Sequence, residues 1–212
     1  MADKIADLYD LLLVHFGPQH WWPGDTPFEV MIGAVLTQNT NWQNVSRAIS
    51  NLKHYDLLSF NDLEAIPVEV MAEHIRPSGY FNQKAIRLKN LLKLIRETSD
   101  GDLDIFFQTD INTLRELLLS VKGIGPETAD SILLYAAQKP VFVVDAYTFR
   151  ILQRHQMIDG PLDYHALQSF FMDALPSDAD LFNEYHALLV RLGKEFCKKS
   201  KPLCDSCPVK GF

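Results

Sequence analysis

The feature that most restricts the fold is an apolar spacing of three and four residues that recurs along the chain. Ile5, Leu8, Leu12 and Phe16 show it first, then Phe28, Met31, Ile32 and Val35. Ala85, Leu88, Leu91, Leu92 and Ile95 repeat it, as do Leu114, Leu117, Leu118 and Val121, then Ile132, Leu133 and Ala136. Phe182, Tyr185, Leu188, Leu189, Leu192 and Phe196 form the longest stripe. Side chains so spaced share one face of a 3.6-residue helix and would be split between the two faces of a strand. Turn formers separate the stripes: Pro18, Pro23-Gly24-Asp25, Pro77-Ser78-Gly79, Gly160-Pro161 and Pro176-Ser177-Asp178. VFVV at 141–144 is the one β-like run, and it fits equally well as a buried entry to a helix. The pattern predicts an all-α chain of about ten helices.

At 212 residues, 47% hydrophobic and 22% charged, the chain has globular composition and can bury a sizeable core. Twenty Lys and Arg against 27 Asp and Glu leave a net charge of −7, so a nucleic-acid partner has to be argued from local clusters. Three such clusters occur. Lys84, Arg87, Lys89, Lys93 and Arg96 lie on or beside the polar face of one helix; Arg150 and Arg154 are one turn apart; Lys194, Lys198, Lys199 and Lys201 surround the first cysteine. No apolar run approaches the ~18 residues of a membrane span. The acidic, amphipathic N-terminus is unlike a signal peptide. The expectation is a cytoplasmic monomer with no membrane partner.

The sharpest local signal is LLLSVKGIGPETADSILLYA at 117–136. A helix ends near Val121, Gly123-Ile124-Gly125 turns the chain, and Pro126 suits the first position of the next helix. The two glycines permit positive φ and leave backbone N–H groups unobstructed, while Ile124 can turn into the core. The following helix aims its free N–H groups and positive dipole end at the same place, which suits an anion such as phosphate. An ordinary turn between helices is the bland alternative. Asp145, after VFVV, is by residue type either a helix N-cap or a carboxylate at a cleft wall.

Residues 121–136 followed by VFVVDAYTFRIL at 141–152 resemble the helix-hairpin-helix and Gly/Pro–Asp signature of the endonuclease III superfamily of DNA glycosylases. The resemblance extends over nearly the whole chain: IGAVLTQNTNWQNVSRAISNL at 32–52, IRPSGYFNQKAIRLKNL at 75–91 and LGKEFCKKSKPLCDSCPV at 192–209 match further regions in order. It implies a two-lobed, all-α fold. A six-helix barrel would occupy 24–136, with its hairpin at about 114–136. Residues 1–23 and 137–212 would form a second helical lobe, with a cysteine cluster at 197–207 and the active site between the lobes. The implied partner is double-stranded DNA containing a damaged base. Lys122, Gly123 and Gly125 would meet phosphate, Lys84 and Lys198 would add basic contacts, Gln38 would fill the gap left by an extruded base, and Tyr80 would wedge the opposite strand. A non-catalytic hairpin module for DNA binding is the competing class, and it has no need of Asp145 or the tryptophans.

The resemblance makes Asp145 the catalytic carboxylate. Cleaving an N-glycosidic bond builds positive charge on the sugar, which a nearby carboxylate stabilises while it orients water. Related lyases carry a Schiff-base Lys where this chain has Glu127, and a carboxylate cannot form an imine. The pattern therefore implies a monofunctional glycosylase, with Glu127 either a second acid–base group or a residue favourable to the helix dipole. An endonuclease III-like lyase acting on oxidised pyrimidines, through another Lys, is the alternative. WWPGDTPFE, TQNTNW and KGIGPET narrow the resemblance to the 3-methyladenine branch. Trp21, Trp22 and Trp42 would stack on a cationic alkylpurine, unless they are core residues. Cys197-x6-Cys204-x2-Cys207 matches three of the four ligands of the family's [4Fe–4S] loop, the fourth being expected one position past Phe212. A zinc site or no metal at all are the alternatives.

Overall fold

The computed structural model describes residues 2–158, 160 and 163–212, and among them the regular elements are all helical. In chain order the helices are α1 (Ala2–Phe16), α2 (Pro27–Leu36), α3 (Trp42–His54), α4 (Phe60–Ala65), α5 (Val68–His74) and α6 (Phe81–Ser99). Then come α7 (Leu103–Gln108), α8 (Ile111–Ser120), α9 (Pro126–Ser131), α10 (Ala146–Arg154), α11 (Tyr164–Met172) and α12 (Ala179–Glu195). Helix α9 continues as a π-turn through Ile132–Ala136. Thr26, Asn41, Ser59, Asp102, Asp110, Asp145, Asp163 and Asp178 each accept a hydrogen bond from a backbone N–H three residues on. Each such cap satisfies a donor the helix cannot and contributes about 1 kcal/mol. These caps set where the sequence stripes become helices. Of the expected turn at 160–161, Gly160 has φ +85°, whereas Pro161 lies outside the described residues.

The chain divides into two compact units, Pro23–Ala137 and the terminal segments Met1–Trp22 with Gln138–Phe212. In the first, α2 is buried from residue 28 to residue 36 and forms the centre of its core. Glu29 is the acidic exception, and it is matched by Lys53 Nζ at 2.8 Å. Arg115 on α8 donates to both carboxylate oxygens of the buried Asp130, at 2.7 and 3.1 Å, and so staples the two arms of the hairpin.

The second unit packs α1 against α12. Tyr185 on α12 donates its hydroxyl to the Ile5 carbonyl at 2.8 Å, and Phe142 stacks on Phe171 with ring centroids 4.0 Å apart. Residues 141–144 are all buried and are neither strand nor helix. The Gln168 amide donates to the Phe142 carbonyl at 2.7 Å, giving this extended run a side-chain partner in place of a ladder.

Candidate functional site

The hairpin in Pro23–Ala137 turns at residues 121–125. Gly123 has φ +98°, and a Cβ there would also lie 2.6 Å from Arg87 Cγ, so both backbone and space require glycine. Gly125 differs from expectation. Its backbone is extended (φ −99°, ψ 179°) and a Cβ would meet nothing, so only its open approach distinguishes it. Ile124 is buried as a pin, while Lys122, Gly123, Gly125 and Glu127 are exposed around it. Pro126 opens α9, whose first-turn N–H groups lie beside Glu127.

Gln38 follows the end of α2 and is docked on this turn. Its Nε2 donates to the Gly123 carbonyl at 3.1 Å and to Thr128 Oγ1 at 2.8 Å, and its Oε1 accepts from Arg87. Arg87 therefore joins α6, the Gln38 loop and the hairpin, a role its place in a basic run did not reveal. Tyr80 is 65% exposed and has φ +46°, just before α6. Trp42 is the first residue of α3 and is half-buried.

The basic helix is the main correction to the sequence reading. Lys84, expected to offer a charge to DNA, is 0% exposed, and its Nζ donates to the carbonyls of Leu36 (2.8 Å) and Ser78 (2.7 Å). Burial pushes its pKa down to about 8. Lys89 turns its ammonium onto the carbonyls of Leu63, Glu64 and Ile66 at the end of α4. Arg96 pairs with Glu64 and Asp100. These cations complete helix ends and buried carbonyls.

In the unit formed by the termini, Asp145 is the N-cap of α10 in a reciprocal capping box. Its Oδ1 accepts from Thr148 N at 2.8 Å and Thr148 Oγ1 at 2.9 Å. Oδ2 lies 3.6 Å from His186 Nε2 on α12. Burial raises the Asp145 pKa, but the nearby His186 imidazole, with the Thr148 donors, outweighs it and holds the carboxyl below its ordinary value. The group is therefore anionic at neutral pH. Tyr147 packs over Gly193, where a Cβ would fall 2.2 Å from the ring, and this close approach brings α10 onto α12. Trp21 and Trp22 are both half-buried, with ring centroids 5.2 Å apart. Lys194 Nζ lies 5.8 Å from the Trp21 centroid, and burial lowers its pKa, against an opposing pull from Asp145. His186 and Lys194 escaped the sequence reading, the first inside an apolar stripe and the second in a surface run.

The cysteine expectation is overturned. Among the described residues no group of three or more His, Cys, Asp or Glu side chains could hold a metal ion. Cys197 is buried, Cys207 half-buried and Cys204 exposed. Cys197 Sγ accepts from Arg154 at 3.4 Å, and the neighbouring Asp205 is paired with Lys210 at 3.0 Å. Three thiols are one short of a four-thiolate set, and no carboxylate or imidazole completes it among those residues. The segment is held by arginines instead. Arg154 donates to the carbonyls of Lys198 and Lys199, and Arg150 to those of Cys197 and Gly193. Lys198 itself is exposed. No helix among the described residues is long and apolar enough to cross a membrane.

Comparison with known proteins places this geometry. The family model for HhH-GPD superfamily base excision DNA repair proteins matches residues 32–176. A protein of Methanocaldococcus jannaschii, named provisionally as a DNA repair glycosylase, is 47% identical over 212 residues, covering 99% of this chain and 96% of that one. Endonuclease III of Sulfolobus acidocaldarius is 28% identical, covering 87% and 80%. The crystal structure of the Helicobacter pylori 3-methyladenine DNA glycosylase bound to 1,N6-ethenoadenine superposes with a TM-score of 0.77 at 33% identity, covering 91% and 96%. With its all-α helix-hairpin-helix fold, the chain belongs to the HhH-GPD superfamily and is a DNA glycosylase of base excision repair.

Proposed function

We infer that the chain hydrolyses the N-glycosidic bond of an alkylated purine in double-stranded DNA, without cutting the strand. The observation that carries this reading is the Asp145 carboxylate, held anionic with Oδ1 bound by Thr148 and Oδ2 facing His186 Nε2 at 3.6 Å. Cleavage leaves a positive charge on the deoxyribose ring. A fixed anion beside it lowers the barrier, and Oδ2 can accept a proton from the attacking water. The exposed backbone at Gly123 and Gly125, with Lys122 beside it, suits a phosphate, and Gln38 and Tyr80 suit the gap and the opposite strand. Glu127, standing where related lyases carry Lys, supports water as the nucleophile. Trp21, Trp22 and Trp42 suit a cationic purine, whose alkylation already makes it a good leaving group. The 33% likeness to a 3-methyladenine glycosylase points the same way.

A second reading has its own support. Curated relatives named Endonuclease III include those of Sulfolobus acidocaldarius and of Thermotoga maritima, each 28% identical. Lys194, exposed overall but with its pKa lowered by partial desolvation against the opposing charge of Asp145, is an amine suited to Schiff-base chemistry. One experiment separates the two. Duplexes carrying a methylated purine, thymine glycol, or A opposite 8-oxoguanine are incubated with the protein, with and without borohydride. Release of the methylated purine with no trapped adduct supports the hydrolytic reading. Thymine-glycol release with a borohydride-trapped adduct that disappears in Lys194→Ala establishes the lyase.

A further inference from the structure

The two oxygens of Asp145 keep different company. Oδ1 is bound by Thr148 and serves the start of α10. Oδ2 faces an atom from another helix, His186 Nε2 of α12, at 3.6 Å. The two side chains are 12% and 8% exposed, so little water competes for the contact. His186 also sits where an apolar residue would pack more cheaply. It follows Tyr185 on the buried face of α12, four residues from Phe182 and three from Leu189, both 0% exposed. A polar ring enclosed at that position carries a desolvation cost that an aliphatic side chain would avoid. Its placement against a carboxylate oxygen offsets that cost.

We propose that His186 is a positioning residue for Asp145: the imidazole edge fixes the direction of Oδ2 and gives it a positive pole, so that the oxygen left over by the helix cap stays aimed and charged. This rests on the reading of Asp145 as the carboxylate that faces the sugar. The direction of the Asp145 pKa is in accord, since burial alone would raise it. The other ionisable groups about the carboxylate are Tyr147 on its own helix and Lys194 on α12, whose titrations both feel the charge of Asp145. Arg150 on α10 directs its guanidinium to the carbonyls of Gly193 and Cys197.

The test is a 13C-carboxyl NMR titration of Asp145 in the full chain, in wild type, His186→Leu and His186→Gln, beside the pH profile of single-turnover base release from methylated duplex DNA. In His186→Leu the Asp145 midpoint is expected to rise by about one pH unit or more, carrying the acid limb of base release with it. His186→Gln can return an N–H to the same edge and should fall between the two. An unmoved midpoint in His186→Leu overturns the role of His186, as does identical behaviour of the Leu and Gln variants. Asp145→Asn is run in parallel. If it releases base at the wild-type rate, the reading of Asp145 itself fails; if it is inactive while the His186 variants titrate like wild type, only the present inference fails.

Discussion

Replacing Lys84 with Met keeps a long unbranched side chain and removes the buried ammonium. The Leu36 and Ser78 carbonyls then lose the donor that reaches them at 2.8 and 2.7 Å. Losing hydrogen bonds from a charged donor costs roughly 1.5–3 kcal/mol each. Against this, the wild-type chain carries the desolvation of an enclosed charge. The fall of its pKa from 10.5 to about 8 corresponds to about 3 kcal/mol in favour of the neutral amine. Near neutral pH the two effects largely cancel, and Lys84→Met should be destabilised by only about 0–3 kcal/mol. Alkaline pH separates them. Between pH 8 and 10.5 the unfolded chain holds a proton on Lys84 that the folded chain has released, so wild-type stability rises with pH across that window. The neutral amine still has two N–H groups for the two carbonyls. Urea melts of both proteins at pH 7.5 and pH 10 report the difference, because other titrating groups are common to both. The gap in favour of wild type should widen by about 2 kcal/mol at the higher pH. A gap that stays constant or narrows would refute an enclosed, carbonyl-capped ammonium at this position.

Asp145→Asn should abolish base release while duplex binding measured by fluorescence anisotropy persists, because the variant loses the anion and leaves the exposed backbone of the hairpin unchanged. Trp42→Ala should lower excision of 3-methyladenine by one to two powers of ten, the scale of ~1–3 kcal/mol of lost base stacking. A fall in melting temperature with unchanged activity per folded molecule would instead make Trp42 a packing residue. Gly123→Ala should destabilise the protein by about 1–2 kcal/mol or more, since its φ of +98° disfavours a side chain and Arg87 must move. Gly125→Ala, extended and unobstructed, should leave the melting temperature unchanged and weaken duplex binding, which a salt titration of affinity would resolve.

The helices were legible because their stripes depend only on which residues are apolar and how far apart they stand. Ile5, Leu8, Leu12, Leu88, Leu91, Leu114 and Leu118 are all 0% exposed, as the spacing of three and four requires. The N-cap reading of Asp145 was legible as well, since Asp is a preferred cap residue and its carboxylate accepts from Thr148 at the start of α10. Four of the basic residues were misread for a physical reason. Periodicity places a Cα on a helix face, but a lysine or arginine ammonium or guanidinium travels several ångströms beyond it, toward whichever carbonyl or carboxylate gains most. In this chain the helix ends compete successfully with solvent, and Lys84, Lys89, Arg150 and Arg154 all finish on backbone carbonyls. Cysteine spacing failed in a related way, because it fixes distance along the chain and leaves open which side chains converge in space.

His186 shows that part of what was missed was nonetheless recoverable. The α12 stripe passes through Phe182, Tyr185 and Leu189, so the same spacing puts residue 186 on the buried face. A titratable ring there has to find a polar partner, because an enclosed imidazole without one would cost more than the helix gains from it. Read that way, the apolar pattern identifies its own exception. Once Asp145 is taken as an N-cap with one oxygen in use, a buried histidine on a neighbouring helix is a group that can face the second oxygen. The observed approach of 3.6 Å is then a consequence of the two local patterns acting together, the cap that occupies Oδ1 and the stripe that buries the ring.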